Sequence, residues 1–126
     1  YAPSGIYEDD HSGWEYVTAL VSGWGKINDP NATAGHYRRI NNAPAGSLAR
    51  FWFTGTRFQL TYLRDAGYGK LVVYVDGMKV GTIFQNYASP LWKRVWTSPV
   101  LALGNHVVEF RVVGTKANID RIKIVP

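Results

Sequence analysis

From Ser47 to Tyr62 apolar and polar side chains alternate with a period of two, interrupted only at Thr54-Gly55-Thr56. A helix repeats every 3.6 residues, so this pattern commits the middle of the chain to half-buried strands. Ala49, Phe51 and Phe53 share one face with Arg50 and Trp52 on the other, and Phe58, Leu60 and Tyr62 then alternate with Arg57, Gln59 and Thr61. Two such runs joined by a short glycine-containing connection predict a hairpin. Leu71 to Val75 ends at Asp76-Gly77, which accepts the positive φ angles of a type I′ turn, and Lys79 to Phe84 supplies the returning strand. Leu91 to Thr97 lies between Pro90 and Pro99, which cannot donate to a ladder and so mark strand ends. Gly104-Asn105 turns the chain into His106 to Val113, and Ile119 to Val125 closes it. Gly5 to Glu8, Glu15 to Leu20 and His36 to Ile40 are weaker strand candidates, and Gly23 to Gly35 reads as a loop. Helical periodicity is missing from every long window. Short strands punctuated by turns predict an all-β fold, a two-sheet antiparallel β-sandwich, in preference to an OB-fold or a closed barrel.

A chain of 126 residues suits one domain, so residues 1–126 are expected to form a single sandwich module. Folding at this size removes about two thirds of the chain's surface from water, enough to dispense with a covalent staple. Cysteine is absent, which excludes a disulfide framework, a zinc-thiolate site and thiol catalysis. No apolar run approaches the roughly 20 residues that cross a bilayer. The first residues also lack the basic and apolar regions of a signal peptide, as expected of a mature or excised piece of a larger protein. Five tryptophans, eight tyrosines and five phenylalanines exclude disorder. Fourteen Lys and Arg against nine Asp and Glu leave a net charge of +5, which favours an anionic partner without naming one.

Catalytic motifs are lacking. His11, His36 and His106 are far apart in sequence, form no spaced metal pair and adjoin no convincing nucleophile. Carboxylate pairs for glycoside hydrolysis need only spatial closeness, but a sandwich without insertions has little with which to wall off a cleft. The acidic run Glu8-Asp9-Asp10 has a different use. Together with Asp120 it can converge on a calcium ion if the first and last strands pair, because calcium takes carboxylate and carbonyl oxygens. Nucleic acid is disfavoured: Arg38-Arg39, Arg57, Arg64, Lys93-Arg94 and Arg121 are scattered in ones and twos and form no stripe.

In Trp92-Lys93-Arg94-Val95-Trp96, regular alternation places Trp92, Arg94 and Trp96 on one face. Turning that face inward buries an unpaired guanidinium at a cost of several kcal/mol. The tryptophans are therefore expected to face outward, with Trp52 and Arg50 exposed on a neighbouring strand. Flat indoles can stack against the C–H faces of sugar rings while arginines bond hydroxyls or carboxylates. Tyr68, between Gly67 and Gly69, and Tyr87, beside Asn86, sit in loops, where functional residues concentrate. The candidate ligand-binding set is thus Trp92, Arg94, Trp96, Trp52, Arg50, Tyr68 and Tyr87. Trp14 and Trp24 read equally well as lids on the core. Asn31-Ala32-Thr33 fits a glycosylation sequon.

Phe53-Thr54-Gly55-Thr56-Arg57-Phe58, Val73-Tyr74-Val75-Asp76-Gly77, Leu103-Gly104-Asn105-His106 and Ile119-Asp120-Arg121-Ile122 resemble the jelly-roll domains of the galactose-binding-like superfamily. In that pattern a tyrosine with acidic residues opens the domain, as Tyr7-Glu8-Asp9-Asp10 does, and an Asp-bearing strand closes it. The resemblance covers nearly the whole chain. It implies a jelly roll acting as a noncatalytic carbohydrate-binding accessory domain of a secreted or cell-surface bacterial protein, sometimes with calcium between the first and last strands. The competing expectation is a structural or adhesion module that docks a neighbouring domain or a second copy through the same aromatic face.

Overall fold

A computed structural model describes all 126 residues and contains β-strands without a helix. In chain order they are β1 (Gly5–Glu8), β2 (Trp14–Val17), β3 (Gly25–Asn28), β4 (His36–Ile40), β5 (Leu48–Gly55), β6 (Arg57–Arg64), β7 (Lys70–Val75), β8 (Met78–Phe84), β9 (Leu91–Thr97), β10 (Gly104–Val113), β11 (Ala117–Ile119) and β12 (Arg121–Val125). A five-stranded sheet in the order β2-β5-β10-β7-β8 packs on a four-stranded sheet in the order β1-β12-β6-β9. A third sheet, β11-β4-β3, flanks them. All strand pairings are antiparallel, giving the jelly-roll sandwich.

Alternation places the core as expected. Phe51 and Phe53 on β5, Phe58 and Leu60 on β6, Phe110 on β10 and Ile122 and Ile124 on β12 are wholly buried. Phe58 lies 5.7 Å from Phe53 and 5.8 Å from Phe110, edge to face, an arrangement worth about 0.5–1.5 kcal/mol per pair beyond the area buried.

Three expectations are corrected. β5 and β6 do not form a hairpin: β5 pairs with β2 and β10, and β6 with β12 and β9. Thr54-Gly55-Thr56 instead carries the chain from one sheet to the other, so that both apolar faces meet across the core. A Cβ on Gly55 would stand 2.5 Å from the Val125 carbonyl, so only glycine fits this crossing. The stretch 23–35 contains β3, whose partner is the flanking strand β4. The closing strand is two, since the chain breaks at Asp120 and passes from β4 to β6 and β1. The Asp76-Gly77 hairpin forms as predicted, with φ of 51° and 83° at its two turn residues.

That turn is tied down by His106. Its Nδ1 donates to Asp76 Oδ2 and its Nε2 to the Ala102 carbonyl, each at 2.6 Å. A neutral imidazole has one N–H, so holding both acceptors requires the imidazolium. Partial burial opposes the charged ring, but the Asp76 and Ala102 bonds outweigh it and raise the His106 pKa above 6.5. Burial likewise opposes the Asp76 carboxylate, yet bonds from His106 and the Val107 amide hold its pKa below 3.8. A raised histidine contributes its full stabilisation below the unfolded value near 6.5 and loses it as pH climbs through the folded one. A depressed aspartate contributes above about 3.9 and loses its share as pH falls. Stability from this clamp should therefore peak between those limits. In thermal melts from pH 5 to 9, His106→Gln should flatten the alkaline fall in Tm; an unchanged slope would remove the clamp from the account.

Candidate functional site

β1 and β12 pair with Glu8 opposite Arg121, which brings the end of the first strand beside the residue before the last. Ligand-capable oxygens of Glu8, Asp9 and Asp120 lie within 4.8 Å of one another. Asp9 and Asp120 are buried, and burial raises both their pKa values, opposed at Asp9 by His36 and at Asp120 by bonds from Thr33. Asp9 Oδ1 accepts from His36 Nδ1 at 2.5 Å, whereas the buried Asp9 Oδ2 has no hydrogen-bond partner, the nearest cation being Arg38 Nε at 3.6 Å.

Thr33 completes this acidic centre. Its Oγ1 lies 2.6 Å from Glu8 Oε1 and 2.7 Å from Asp120 Oδ1, and its amide donates to Asp120 Oδ2 at 3.1 Å. One hydroxyl proton cannot serve two carboxylates, so one of these contacts sets oxygen against oxygen, and the cation beside the pair is Arg121, 3.9 Å from Glu8 Oε2. An all-oxygen, carboxylate-rich donor set with an unpartnered buried oxygen fits a hard cation of the calcium class. Asp10 does not join Glu8, Asp9 and Asp120. The turn after β1 reverses the chain and leaves Asp10 exposed, paired with Lys26 at 3.3 Å and 3.6 Å from His36 Nε2.

A cleft of about 580 Å³ opens where the 9–13 loop meets the start of the chain, lined by Tyr1, His11, Ser12, Trp14, Glu15 and Trp52 among others. Trp14 is the buried floor, and its Nε1 has no hydrogen-bond partner in the protein. His11 Nδ1 accepts from the Gly13 amide at 2.9 Å, so the neutral ring carries its proton on Nε2. Glu15 accepts from Arg50 Nη1, and Arg50 donates through Nε to Glu109 at 2.8 Å. These bonds hold the guanidinium 5.8 Å from the centre of the Trp52 ring. Rigid rings with fixed polar groups around an open cleft can take a flat, hydroxyl-rich ligand.

The chain matches no protein-family profile and no characterised protein by sequence. Solved structures do share its fold. A xanthan lyase from Paenibacillus superposes over 98% of this chain with a TM-score of 0.74 at 17% identity. The chain spans only 13% of that enzyme's length. A CBM36 domain of a multidomain xylanase from the hindgut metagenome of Trinervitermes trinervoides aligns over 98% of this chain and 97% of its own, with a TM-score of 0.67 and 19% identity. A CBM36 module in complex with calcium and xylotriose aligns over 94% and 98%, with a TM-score of 0.64 and 13% identity. The fold is that of jelly-roll carbohydrate-binding modules.

On this jelly roll the expected tryptophan pair does not form. Lys93 adopts φ of 55° and the register of β9 against β6 shifts between Tyr62 and Arg64, so Trp92 and Trp96 do not belong to one regular alternation. Trp96 stands opposite Leu60 and turns toward the core, 5.9 Å from Phe58 and close against Gly81. Trp92 packs edge-on to Tyr37 at 5.7 Å, over a small satellite cluster. Arg94 is exposed, because β9 is an edge strand from which a long side chain reaches water. The burial penalty that argued against inward tryptophans therefore never arises. Tyr68 is also not a surface group: it is buried in the satellite cluster beneath Lys116, and burial pushes its pKa far up. Tyr87 is exposed, with Arg64 5.5 Å from its ring. Of the aromatic candidates, Trp52 lines the cleft, and Arg50 is held behind it by Glu15 and Glu109. Thr33 escaped sequence reasoning, although as the hydroxyl residue of the sequon it was in view. His11 and Tyr1 carried no signal at all, since only the tertiary fold sets them beside Trp52.

Proposed function

We propose that the chain is a noncatalytic carbohydrate-binding module of an exported protein, with the cleft beside Trp52 as its sugar site. The observation that carries this reading is the open 580 Å³ cleft whose lining combines the Trp52 ring with the polar side chains of His11, Ser12 and Glu15. A sugar's C–H face can cover Trp52 while the His11, Ser12 and Glu15 side chains bond its hydroxyls. The shared fold supports the reading, as do neighbours that are themselves carbohydrate-binding modules.

Calcium belongs to the acidic centre in the same proposal. Glu8, Asp9 and Asp120 would hold it, with the Thr33 hydroxyl beside them, and the ion would neutralise carboxylates that burial now disfavours. Its place there is architectural, joining β1, the 29–35 loop and the entry to β12 just ahead of the His11-Ser12-Gly13 stretch that lines the cleft.

Intrinsic tryptophan fluorescence, titrated with xylotriose and with xanthan oligosaccharides, tests the sugar site. Trp52→Ala should weaken binding at least tenfold, while Trp92→Ala should leave it within a factor of two. Equal loss in both variants, or no retention of any glycan on a broad array, would overturn the assignment.

A further inference from the structure

The face of the five-stranded sheet that points away from the core carries three aromatic rings, each beside a cation. Arg50 lies 5.8 Å from the centre of Trp52, Arg111 3.7 Å from Tyr74, and Lys70 5.8 Å from Phe84. The register puts all six on one face: Arg50, Glu109 and Tyr74 form a row across β5, β10 and β7, and Phe84 partners Lys70 at the far end of β7. The intervening residues, Phe51, Phe110 and Val73, fill the core from the opposite face. With strands about 4.8 Å apart and about 3.4 Å per residue, Trp52, Tyr74 and Phe84 mark a diagonal roughly 25 Å long. That length suits a polymer better than a small molecule.

Charge along the diagonal is unequal. Arg50 is spent as a strut between Glu15 and Glu109. Arg111 bonds Glu109 through Nε and Nη2, at 3.1 and 2.8 Å, which flattens it over Tyr74 and leaves Nη1 unspent. Lys70 and Lys79, the latter opposite Tyr74, enter none of the ion pairs. The two acids on this face are thus consumed by arginines, and both lysines stand over as uncompensated positive charge beside the rings.

We propose that this face is a binding track for an acidic polysaccharide, in which sugar rings lie along Trp52, the Arg111 guanidinium that caps Tyr74, and Phe84, while Arg111 Nη1, Lys70 and Lys79 receive the carboxylates. The inference rests on the carbohydrate reading above and extends it from Trp52 along the sheet face and to a ligand class. Carboxylates paired with lysines and with a fixed guanidinium supply charge-assisted bonds that a neutral chain cannot.

Affinity electrophoresis and calorimetry against polygalacturonate, its fully methyl-esterified form and poly-glutamate test it. The free acid should bind at least tenfold more tightly than the ester and more tightly than poly-glutamate. The double variant Lys70→Gln/Lys79→Gln, whose side chains stand on the outer face, should lose at least tenfold for the acid while keeping its melting temperature. Equal binding of acid and ester, or an unaffected double variant, overturns the track. So does equal binding of poly-glutamate, which would reduce the preference to bare charge. If neutral glycans bind in a Trp52-dependent way without any preference for acid, only the track fails; if no glycan binds at all, the carbohydrate reading fails with it.

Discussion

Millimolar calcium should raise the melting temperature by about 10 °C, and Asp120→Asn should abolish that rise. The size follows from linkage: a ligand at about a hundred times its dissociation constant stabilises the folded state by about 2.7 kcal/mol, and each kcal/mol moves Tm by about 4 °C in a domain of this size. The direction follows from the acidic centre. Burial raises the Asp9 and Asp120 pKa values above 3.8. An acid whose folded pKa is raised binds its proton more tightly folded than unfolded, so it lowers stability as pH climbs from the unfolded to the folded value and stays unfavourable above both. At neutral pH both groups therefore oppose folding until a cation compensates them. Two outcomes follow for Asp120→Asn: in chelator its Tm should match or exceed that of the parent, and in calcium it should fall below it. Glu8→Gln should also blunt the calcium response. A parent protein whose melting curve is the same in chelator and in calcium would remove the ion from the acidic centre.

The largest loss of stability from one side chain is expected at Asn118. This residue is wholly buried, and its side chain accepts from the Leu63 amide and donates to the Leu63 carbonyl, both at 2.8 Å. It stands in for the next strand where the β6–β9 register shifts and the β12 ladder has ended at Thr61. Gln85, also buried, bonds the Asn118 backbone through Nε2 at 2.8 Å and Oε1 at 3.0 Å. Asn118→Ala leaves the Leu63 amide and carbonyl without partners in a dry site, each worth about 1–3 kcal/mol when orphaned. Urea unfolding should show a loss of about 3–5 kcal/mol. Asn118→Leu, which restores volume but no bond, should be no better; recovery by leucine would mean that packing, not hydrogen bonding, is what Asn118 supplies.

Much of the architecture was legible because alternation is local. Phe51, Phe53, Phe58 and Phe110 declare their inward face within their own strands, and Asp76-Gly77 announces its turn in two residues. The errors share a cause. Thr54-Gly55-Thr56 looked like a hairpin since a tight turn between alternating strands does not say whether the second strand pairs with the first or crosses to the opposite sheet. β3 was missed because four residues held only by β4 leave little periodicity. Trp92 and Trp96 were placed outward by a rule of strict alternation, and one positive φ at Lys93 with a shifted register breaks that rule. Glu8, Asp9 and Asp120 stood out as oxygen donors, yet their separation from Asp10 depended on how the turn after β1 runs.

The sequence by itself determined the all-β class, the core phenylalanines and the acidic residues that open and close the domain, since each depends on residue type and near-neighbour spacing. Only the tertiary structure decided which strands share a sheet, that Trp96 packs inward while Trp52 borders a cleft, and that Thr33 sits between Glu8 and Asp120. Those outcomes depend on contacts between residues as much as 87 positions apart. Such contacts are selected by the shared burial of whole faces, a collective quantity that no short stretch of sequence contains.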